Sequence, residues 1–411
     1  MPLVFDASRS VTFVQRTSHT SGQTREQPVQ VEGWVGVSEL AEHCVPGMHV
    51  WISKDDDDLP VDINRDMPTQ KMEIVVPAIH RSVDHKPKVQ IQVIIMVPRG
   101  SEINTLAVNV TQLDVRFASG LYLKAASTNL STTAGIIRSG PPSQSNRSFL
   151  PAPDSYRFES RSINARTISG NILGNWPLNE SLALASTSGD IRVSITPKES
   201  AQSRSTASLD LSTVSGRIEA VEPIFECDDL NKWIPPRYYS VHVSSTSGNI
   251  YAALACGGSG VLTEFRNISG KIKADLLPMV DWDGNGHYTR LETTSTSGDT
   301  EVCVLEACCI RKTDDGSWTA NLDPDVALNR LQSTHNSVSG NISLCYPTSW
   351  EGNFFANSMS GGLKVYGPEV LIVWRQDIPK RLQARKGAEN SSSIQISTMS
   401  GGVEALIGEE Q

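Results

Sequence analysis

The residues best placed to do chemistry lie in the segment DWDGNGHYTRLE, from Asp281 to Glu292. Its spacing matches the calcium-loop pattern D-x-[DN]-x-[DN]-G-x5-E, in which a glycine allows the sharp turn. Calcium needs about six to eight hard oxygen ligands, so a loop that gathers carboxylates and amides favours this ion. The segment therefore predicts a calcium site with ligands from Asp281, Asp283, Asn285 and Glu292.

The surroundings of this segment support a second interpretation. An EF-hand loop lies between two helices, whereas the strand-like runs KIKADL and LETTSTSG stand on either side here. Alternation in the second run puts Glu292 on an outward face, from which it can still reach a surface ion. The Asp-Gly and Asn-Gly pairs also suit a tight turn without any ion. Both interpretations stay open.

The sequence carries none of the common catalytic or cofactor-binding motifs. It has no G-x-S-x-G nucleophile elbow, no Walker loop, no H-E-x-x-H zinc motif and no dinucleotide fingerprint. Its seven cysteines show neither C-x-x-C spacing nor a histidine at zinc-finger distance, which argues against structural zinc. We therefore expect no catalytic residues and no cofactor other than the candidate calcium ion.

Charge and hydropathy exclude further classes of function. The 411 residues carry a net charge of −9 and no basic block, which argues against a nucleic-acid partner. The opening MPLVFDASRS lacks the basic and apolar regions of a secretory signal. The most apolar stretch, from Val89 to Pro98, is too short to span a membrane. We expect no signal peptide and no membrane-spanning segment in this chain.

The elements that must position any site are short strands around a recurring signature, [S/T/N]-x-Ser-Gly. The signature occurs nine times, and strand-like runs stand on both sides of each copy. Its glycines are Gly170, Gly189, Gly216, Gly248, Gly270, Gly298, Gly340, Gly361 and Gly401.

Side-chain alternation shifts by one residue at each Ser-Gly step. In VHVSSTSGNIYAAL one face carries odd-numbered residues up to Ser247, whereas after Gly248 the apolar positions are even-numbered, as at Ile250 and Ala252. Such a slip turns the buried face outward unless the backbone bends. We therefore predict that each glycine forms a corner with positive φ, and that two hydroxyl residues before it, such as Ser245 and Ser247, point inward.

These repeats predict an all-β protein. We expect an irregular N-terminal β region over residues 1–100, followed over residues 101–411 by a parallel β-solenoid (β-helix) with Ser-Gly corners and loop inserts. A β-propeller or a sandwich of hairpins is the competing architecture. A propeller needs four strands in each unit, whereas two strands accompany each signature here.

The repeats also resemble those of the putative adhesin family, a group of domains of unknown function with tandem T-x-S-G-D/N-I-x-V units. The matching stretches are ASTSGDIRVSI, STVSGRIEAV, SSTSGNIYAAL, NISGKIKADL and SVSGNISL, and KVQIQVIIMVPRGSEI is similar to the family's lead-in strand. The resemblance covers the chain from about Lys88 onward and includes fungal members. It implies a parallel β-helix with a surface or extracellular adhesive role, and it brings no catalytic residues.

Loop inserts between the repeats are the regions where we expect recognition. They run from Pro141 to Tyr156, Glu222 to Tyr239, Pro278 to Tyr288, Glu306 to Leu331 and Tyr366 to Asn390. Tryptophans in these loops or turns suit either sugar stacking or capping of the core. Among the N-x-[S/T] sequons, Asn341 and Asn179 are the candidate glycosylation sites, whereas alternation turns Asn267 inward.

The function expected from these features is a non-catalytic binding or structural module, with a surface glycan or a protein as ligand. Two alternatives stay open. One is a polysaccharide lyase or hydrolase, for which outward acids such as Glu219, Glu301 and Glu404 would need to align. The other is an intracellular scaffold that assembles through exposed end repeats.

Titration calorimetry of calcium into chelator-treated protein tests the candidate ion site. If the loop binds calcium, heat is released or absorbed at millimolar ion or below, and Glu292→Gln weakens binding because it removes a charged ligand. An absence of heat at millimolar calcium would end the calcium hypothesis and leave the tight-turn interpretation.

Overall fold

A computed structural model describes residues 3–6, 8–18, 27–40, 45–80, 86–140, 156–200, 205–225, 230–281, 287–322, 326–388 and 391–408. The chain forms two compact units. The first comprises Met1–Pro177 with Leu182–Ser194, and the second comprises Leu178–Ser181 with Ile195–Gln411. The protein is all-β apart from one short helix in the described residues.

The first unit holds strands β1–β14 and most of β15–β17. Their bounds are β1 Leu3–Val4, β2 Val11–Ser18, β3 Gln27–Pro28, β4 Gln30–Glu39, β5 Gly47–Lys54, β6 Asp62–Asp66, β7 Lys71–Pro77, β8 Ile79–His80, β9 Lys88–Val97, β10 Ser101–Val110, β11 Asp114–Phe117, β12 Tyr122–Thr132, β13 Ile137–Ser139, β14 Arg157–Thr167, β15 Ile172–Leu178, β16 Ser181–Ser186 and β17 Ile191–Pro197.

Most strands of this unit belong to two sheets of mostly parallel strands, and β3 and β8 form a separate antiparallel pair. Sheet A contains β4, β9, β11, β13 and β15, and sheet B contains β2, β7, β10, β12 and β14. Strand β10 pairs in parallel with both β2 and β12, and β11 pairs in parallel with both β4 and β13. The strands before residue 100 thus continue the parallel ladders of the later strands. The predicted division at residue 100 falls inside this unit and stays a prediction.

The second unit holds the remaining elements. Their bounds are β18 Ala207–Thr213, β19 Ile218–Val221, α1 Leu230–Trp233, β20 Tyr239–Ser245, β21 Ile250–Cys256, β22 Leu262–Asn267, β23 Ile272–Asp281, β24 Thr289–Ser295, β25 Thr300–Val304, β26 Cys308–Lys312, β27 Trp318–Leu322, β28 Leu331–Ser337, β29 Ile342–Tyr346, β30 Gly352–Ser358, β31 Leu363–Tyr366, β32 Leu371–Asp377, β33 Lys380–Lys386, β34 Ser392–Thr398 and β35 Val403–Ile407. No helix in the described residues is long and apolar enough to cross a membrane.

Two mostly parallel sheets also make up the second unit, and their strand order departs from the chain order. In sheet B, β34 pairs in parallel with both β28 and β30. In sheet A, β35 pairs in parallel with both β29 and β31. The last repeat in the sequence is therefore inserted between two earlier repeats. Beyond β30, sheet B ends in an antiparallel hairpin of β33 and β32.

In each repeat, alternate side chains of its two strands point inward and fill the core between the two sheets. Val241, Val243 and Ser245 are buried on β20, and after the glycine Ile250 and Leu254 are buried on β21. The predicted shift of parity at the Ser-Gly step is confirmed. Each repeat consequently turns one apolar face inward on both of its strands.

The corner glycines have a different role from the predicted one. None of the nine has a positive φ, so the prediction of left-handed corners is wrong. Instead, successive corners stack so closely that a Cβ on Gly248 would lie 1.7 Å from the carbonyl oxygen of Gly216. At Gly270 the corresponding distance to the oxygen of Gly248 is 2.1 Å, and at Gly340 the distance to the oxygen of Gly298 is 2.0 Å. Glycine is required because no side chain fits between the corners.

The two hydroxyl positions before each glycine face opposite ways, which corrects the second expectation. Ser245 is buried, and its Oγ accepts a hydrogen bond of 2.9 Å from the N–H of Gly248. Ser247 is exposed, and its Oγ donates to the carbonyl of Val214 in the neighbouring repeat at 3.2 Å. The same inner bond forms at the other corners, with an amide oxygen at Asn267. One hydroxyl thus fixes the bend, and the other ties it to the next repeat.

The Asp or Asn that follows several glycines caps the adjacent repeat. The Oδ1 of Asn249 accepts from the N–H of Lys271 at 3.0 Å, and the Oδ1 of Asp299 accepts from the N–H of Asn341 at 2.9 Å. These bonds satisfy backbone donors that the bend removes from the sheet ladder.

Substitutions at the corner test the stacking. We expect Gly248→Ala to destabilise the protein by about 2 kcal/mol or more, and Gly248→Val by more still, because backbone atoms of the next corner must move. Gly362→Ala is the matched control, since its Cβ would meet nothing within 4 Å and its φ is not positive. Thermal melts measure both. Equal melting temperatures for Gly248→Ala and the parent would contradict the stacking explanation.

Candidate functional site

Two of the four predicted calcium ligands lie in the described residues. Asp281 ends β23, and its carboxylate accepts hydrogen bonds from the hydroxyl of Tyr238 at 2.7 and 2.9 Å. Glu292 is half-buried on the outward face of β24, opposite Glu264 and Thr334 on the adjacent strands. Asp283 and Asn285 lie outside the described residues. The calcium site therefore stays a prediction. The described part of the chain contains no cluster of three or more metal-ligating side chains.

A small pocket opens beside Asp281. Its volume is about 140 Å³, and Ser259, His287 and Arg330 contribute polar groups to its lining. The Oγ of Ser259 accepts a bond of 2.6 Å from the backbone N–H of His287, so this hydroxyl is held by the main chain and not by the imidazole ring. The pocket is large enough for a few non-hydrogen atoms and offers both signs of charge. It suits a small polar group better than a polymer.

Two of the three outward acids predicted as possible catalytic groups, Glu301 and Glu404, form ion pairs or surface contacts. Glu301 lies between Lys271 and Lys273, with N–O distances of 2.6 and 3.1 Å. Hydrogen bonds from Lys271 and then from Lys273 lower the pKa of this carboxyl, which opposes a role as a general acid. Glu404 is exposed and accepts a bond of 3.0 Å from the hydroxyl of Tyr366.

The candidate glycosylation sites differ in their surroundings. Asn341 is exposed, and its Oδ1 accepts a bond of 2.9 Å from the N–H of Gly402. Asn179 is half-buried between β15 and β16. Asn267 is 3% exposed and holds its corner with both side-chain atoms, which confirms that it points inward.

Two of the tryptophans in the turns and inserts are buried and pack in the core. Trp176 and Trp350 have no exposed surface, and the ring of Trp350 packs edge-on against Tyr346. These two residues are therefore unavailable for sugar stacking. Trp318 and Trp233 are half-buried, and Trp282 lies outside the described residues.

Glu222 is a buried carboxyl that the sequence interpretation passed over. It is 1% exposed, and its Oε2 accepts a bond of 2.7 Å from the N–H of Ala255. Burial raises its pKa to about 8. Alternation from Ile218 through Ala220 already places this residue on the inward face, so the signal was present in the sequence. Its enclosure makes it a determinant of stability.

A run of four consecutive exposed apolar residues lies in the insert from Tyr366 to Asn390. Leu371, Ile372, Val373 and Trp374 of β32 are 63%, 56%, 56% and 44% exposed, and we call these four side chains the hairpin surface. They are consecutive, so both faces of β32 are uncovered. Exposed apolar side chains on both faces of one strand are typical of an interaction site in a folded protein.

Another exposed strand is built differently. All five residues of β6 in the first unit are exposed, and the strand carries Asp62, Arg65 and Asp66 with a single large apolar residue, Ile63. Charges on an edge strand prevent unintended pairing with other chains. The hairpin surface lacks this protection over its four apolar positions.

The buried carboxyl of Glu222 predicts a pH dependence of stability. The folded protein keeps this proton up to about pH 8, whereas the unfolded chain releases it near pH 4.5. Folding therefore takes up a proton between these values, and stability falls as pH rises, by up to roughly 1.4 kcal/mol per pH unit.

We expect Glu222→Gln to flatten this slope in denaturant melts from pH 5 to 8, because a neutral amide still accepts from Ala255. Glu219→Gln alters a half-buried carboxyl on β19, three residues before Glu222, and serves as the control. The prediction fails if Glu222→Gln keeps the slope of the parent.

We compared the chain with family models, curated proteins and solved structures. No family model matches the chain, and no curated protein matches it. A solved structure described as "a putative cell adhesion protein from Clostridium sporogenes ATCC 15579" aligns over 100% of both chains, with 8% identity and a TM-score of 0.16. A TM-score this low is no sign of a shared fold, so the function of this protein is inferred from its own residues.

Proposed function

We propose that the protein is a non-catalytic binding module on a parallel β-solenoid, in which inserts between the repeats hold the ligand. The parallel pairing of successive repeats on both sheets, joined by stacked glycine corners, supports the solenoid. Resemblance of the repeats to adhesin units supports a role in adhesion, at the cell surface or outside the cell.

The hairpin surface is the observation that carries this proposal. Its four consecutive apolar side chains remain exposed in a protein whose repeat strands bury their apolar residues. Leaving them in water costs free energy that burial against a ligand recovers, at about 25 cal/mol for each Å² of apolar surface. Trp374 adds an aromatic ring that suits either a sugar face or a protein side chain.

The sheet beneath this surface suits recognition of an extended ligand. Strand β32 is held by β33, and β33 by β30, in two antiparallel ladders. The apolar side chains therefore stand on a frame fixed by backbone hydrogen bonds, which reduces the entropy lost on binding. A surface glycan or an extended protein segment fits such a row. The proposal includes calcium binding at Asp281 and glycosylation at Asn341 or Asn179.

Substitution of the exposed tryptophan tests the assignment. We expect Trp374→Ser to weaken binding of labelled protein to intact cells or to immobilised polysaccharides by about tenfold or more, because an aromatic anchor is lost. Trp51→Ser is the matched control, since Trp51 is also an exposed strand residue, at 52%. Equal binding by Trp374→Ser and the parent, with a weaker Trp51→Ser, would assign recognition to another surface.

A further inference from the structure

We propose that Cys303 and Cys345 form a reversible disulfide by thiol–disulfide exchange with a small-molecule disulfide such as oxidised glutathione. Both residues are thiols in the structure. They lie on β25 and β29, which both belong to the second unit. The inference goes beyond the proposed binding role and does not depend on it.

The two cysteines are direct partners in sheet A. Strand β25 runs parallel to β29, and the register sets Cys303 against Cys345. Register partners on neighbouring parallel strands point to the same side of the sheet. Such strands lie about 4.8 Å apart, which is inside the range of about 4.4–6.8 Å between Cα atoms that a disulfide requires. The spacing of the backbones therefore suits a bond between the two sulfur atoms.

Both thiols lie on the outward side of sheet A, and they differ in exposure. The residues before them, Val302 and Leu344, are buried on the inward side, so alternation turns the cysteines outward. Cys345 is half-buried, whereas Cys303 is only 9% exposed. A small disulfide therefore reaches the Sγ of Cys345 first, and Cys303 lies beside it as the second thiol.

The exchange takes two steps. The thiolate of Cys345 attacks one sulfur of the small disulfide, which breaks the S–S bond and expels the other half as a thiolate. The thiolate of Cys303 then attacks the Sγ of Cys345, forms the intramolecular bond and expels the second half. The two cysteine protons pass through solvent to the departing thiolates. Two cysteine thiols are thereby oxidised, and one small disulfide is reduced to two small thiols.

Direct pairing also makes the bond easy to reverse. The Cβ atoms of register partners are separated by about the strand spacing of 4.8 Å, which exceeds the ~3.5–4.5 Å of a relaxed disulfide. Each cysteine is one residue from the end of its strand, where the backbone can shift to narrow this gap. The remaining strain favours reduction, as in other labile disulfides.

The other described cysteines are poorer candidates. Cys256 and Cys308 are buried, and burial raises the pKa of each thiol to about 12, so few thiolates form at neutral pH. Cys308 and Cys309 are consecutive on β26, so their side chains point to opposite sides. Among the cysteines that the structure describes, only Cys303 and Cys345 are partners in register.

The bond closes a long loop. Residues 304–344 lie between the two cysteines, and the insert from Glu306 to Leu331 is inside this loop. A cross-link between distant residues removes entropy from the unfolded chain, and the effect grows with the length of the loop. Oxidation should therefore stabilise the second unit and fasten this insert at its base.

Peptide mapping under non-reducing conditions tests the bond. The full chain is equilibrated with millimolar oxidised glutathione, alkylated, and digested with trypsin and with a protease that cuts after glutamate. This digest places Cys303 in residues 302–306 and Cys345 in residues 331–351, whereas Cys308 and Cys309 fall in residues 307–311. We expect one cross-link, between 302–306 and 331–351, which millimolar reduced glutathione reopens.

Thermal melts give a second measurement. We expect the oxidised parent to melt about 5 °C or more above the reduced parent, because the closed loop is long. Cys345→Ser should lose both the cross-link and this rise. Cys309→Ser is the matched control, since it removes a buried thiol that the bond does not use and should keep both.

The inference is overturned if the parent yields no cross-link between 302–306 and 331–351, or if residues 307–311 replace 302–306 in it. A cross-link that survives millimolar reduced glutathione would overturn its reversibility. A rise in melting temperature that persists in Cys345→Ser would show that the stabilisation has another source. Ligand binding is measured separately with Trp374→Ser, so none of these results bears on the proposed function.

Discussion

Close stacking of corner backbones is the constraint on which the rest of this protein depends. A Cβ on a corner glycine would lie about 2 Å from the carbonyl oxygen of the adjacent corner, well inside van der Waals contact. The sheets on either side can keep their parallel ladders only if the bends between them match this spacing. The inner hydroxyl, the outer serine and the following Asp or Asn then satisfy the backbone groups that the bend removes from those ladders.

Alternation in the sequence was sufficient to predict the strands, the inward faces and the shift of parity, because these depend on neighbours along the chain. The conformation of the glycines and the direction of residues such as Ser247 depend on the next repeat, which the sequence does not place. The same limit applies to the order of repeats. Nothing in the residues of β34 distinguishes a strand that extends a stack from one that enters between two others, since all corners carry the same signature.

The same distinction, between features set by neighbours along the chain and features set by distant residues, applies to the candidate site. The insert that contains the hairpin surface could be located from its break in the repeat spacing, and the inward position of Glu222 follows from alternation. The run LIVW has no alternation and reads equally as a buried strand, so its exposure on both faces emerged only from the structure. Burial of Trp350 and the ion pairs of Glu301 likewise depend on residues far apart in the chain.

The insertion of the last repeat between two earlier ones has a consequence for synthesis on the ribosome. Strands β28 and β30 reach their final neighbour only after residues 392–398 have been made, about 40 residues after β30 itself has been made. Until then both strands keep an unpaired edge in a partly folded chain. Such edges attract other nascent chains and chaperones, so the interval before β34 arrives is the stage of biogenesis at which this protein is most exposed to misassembly.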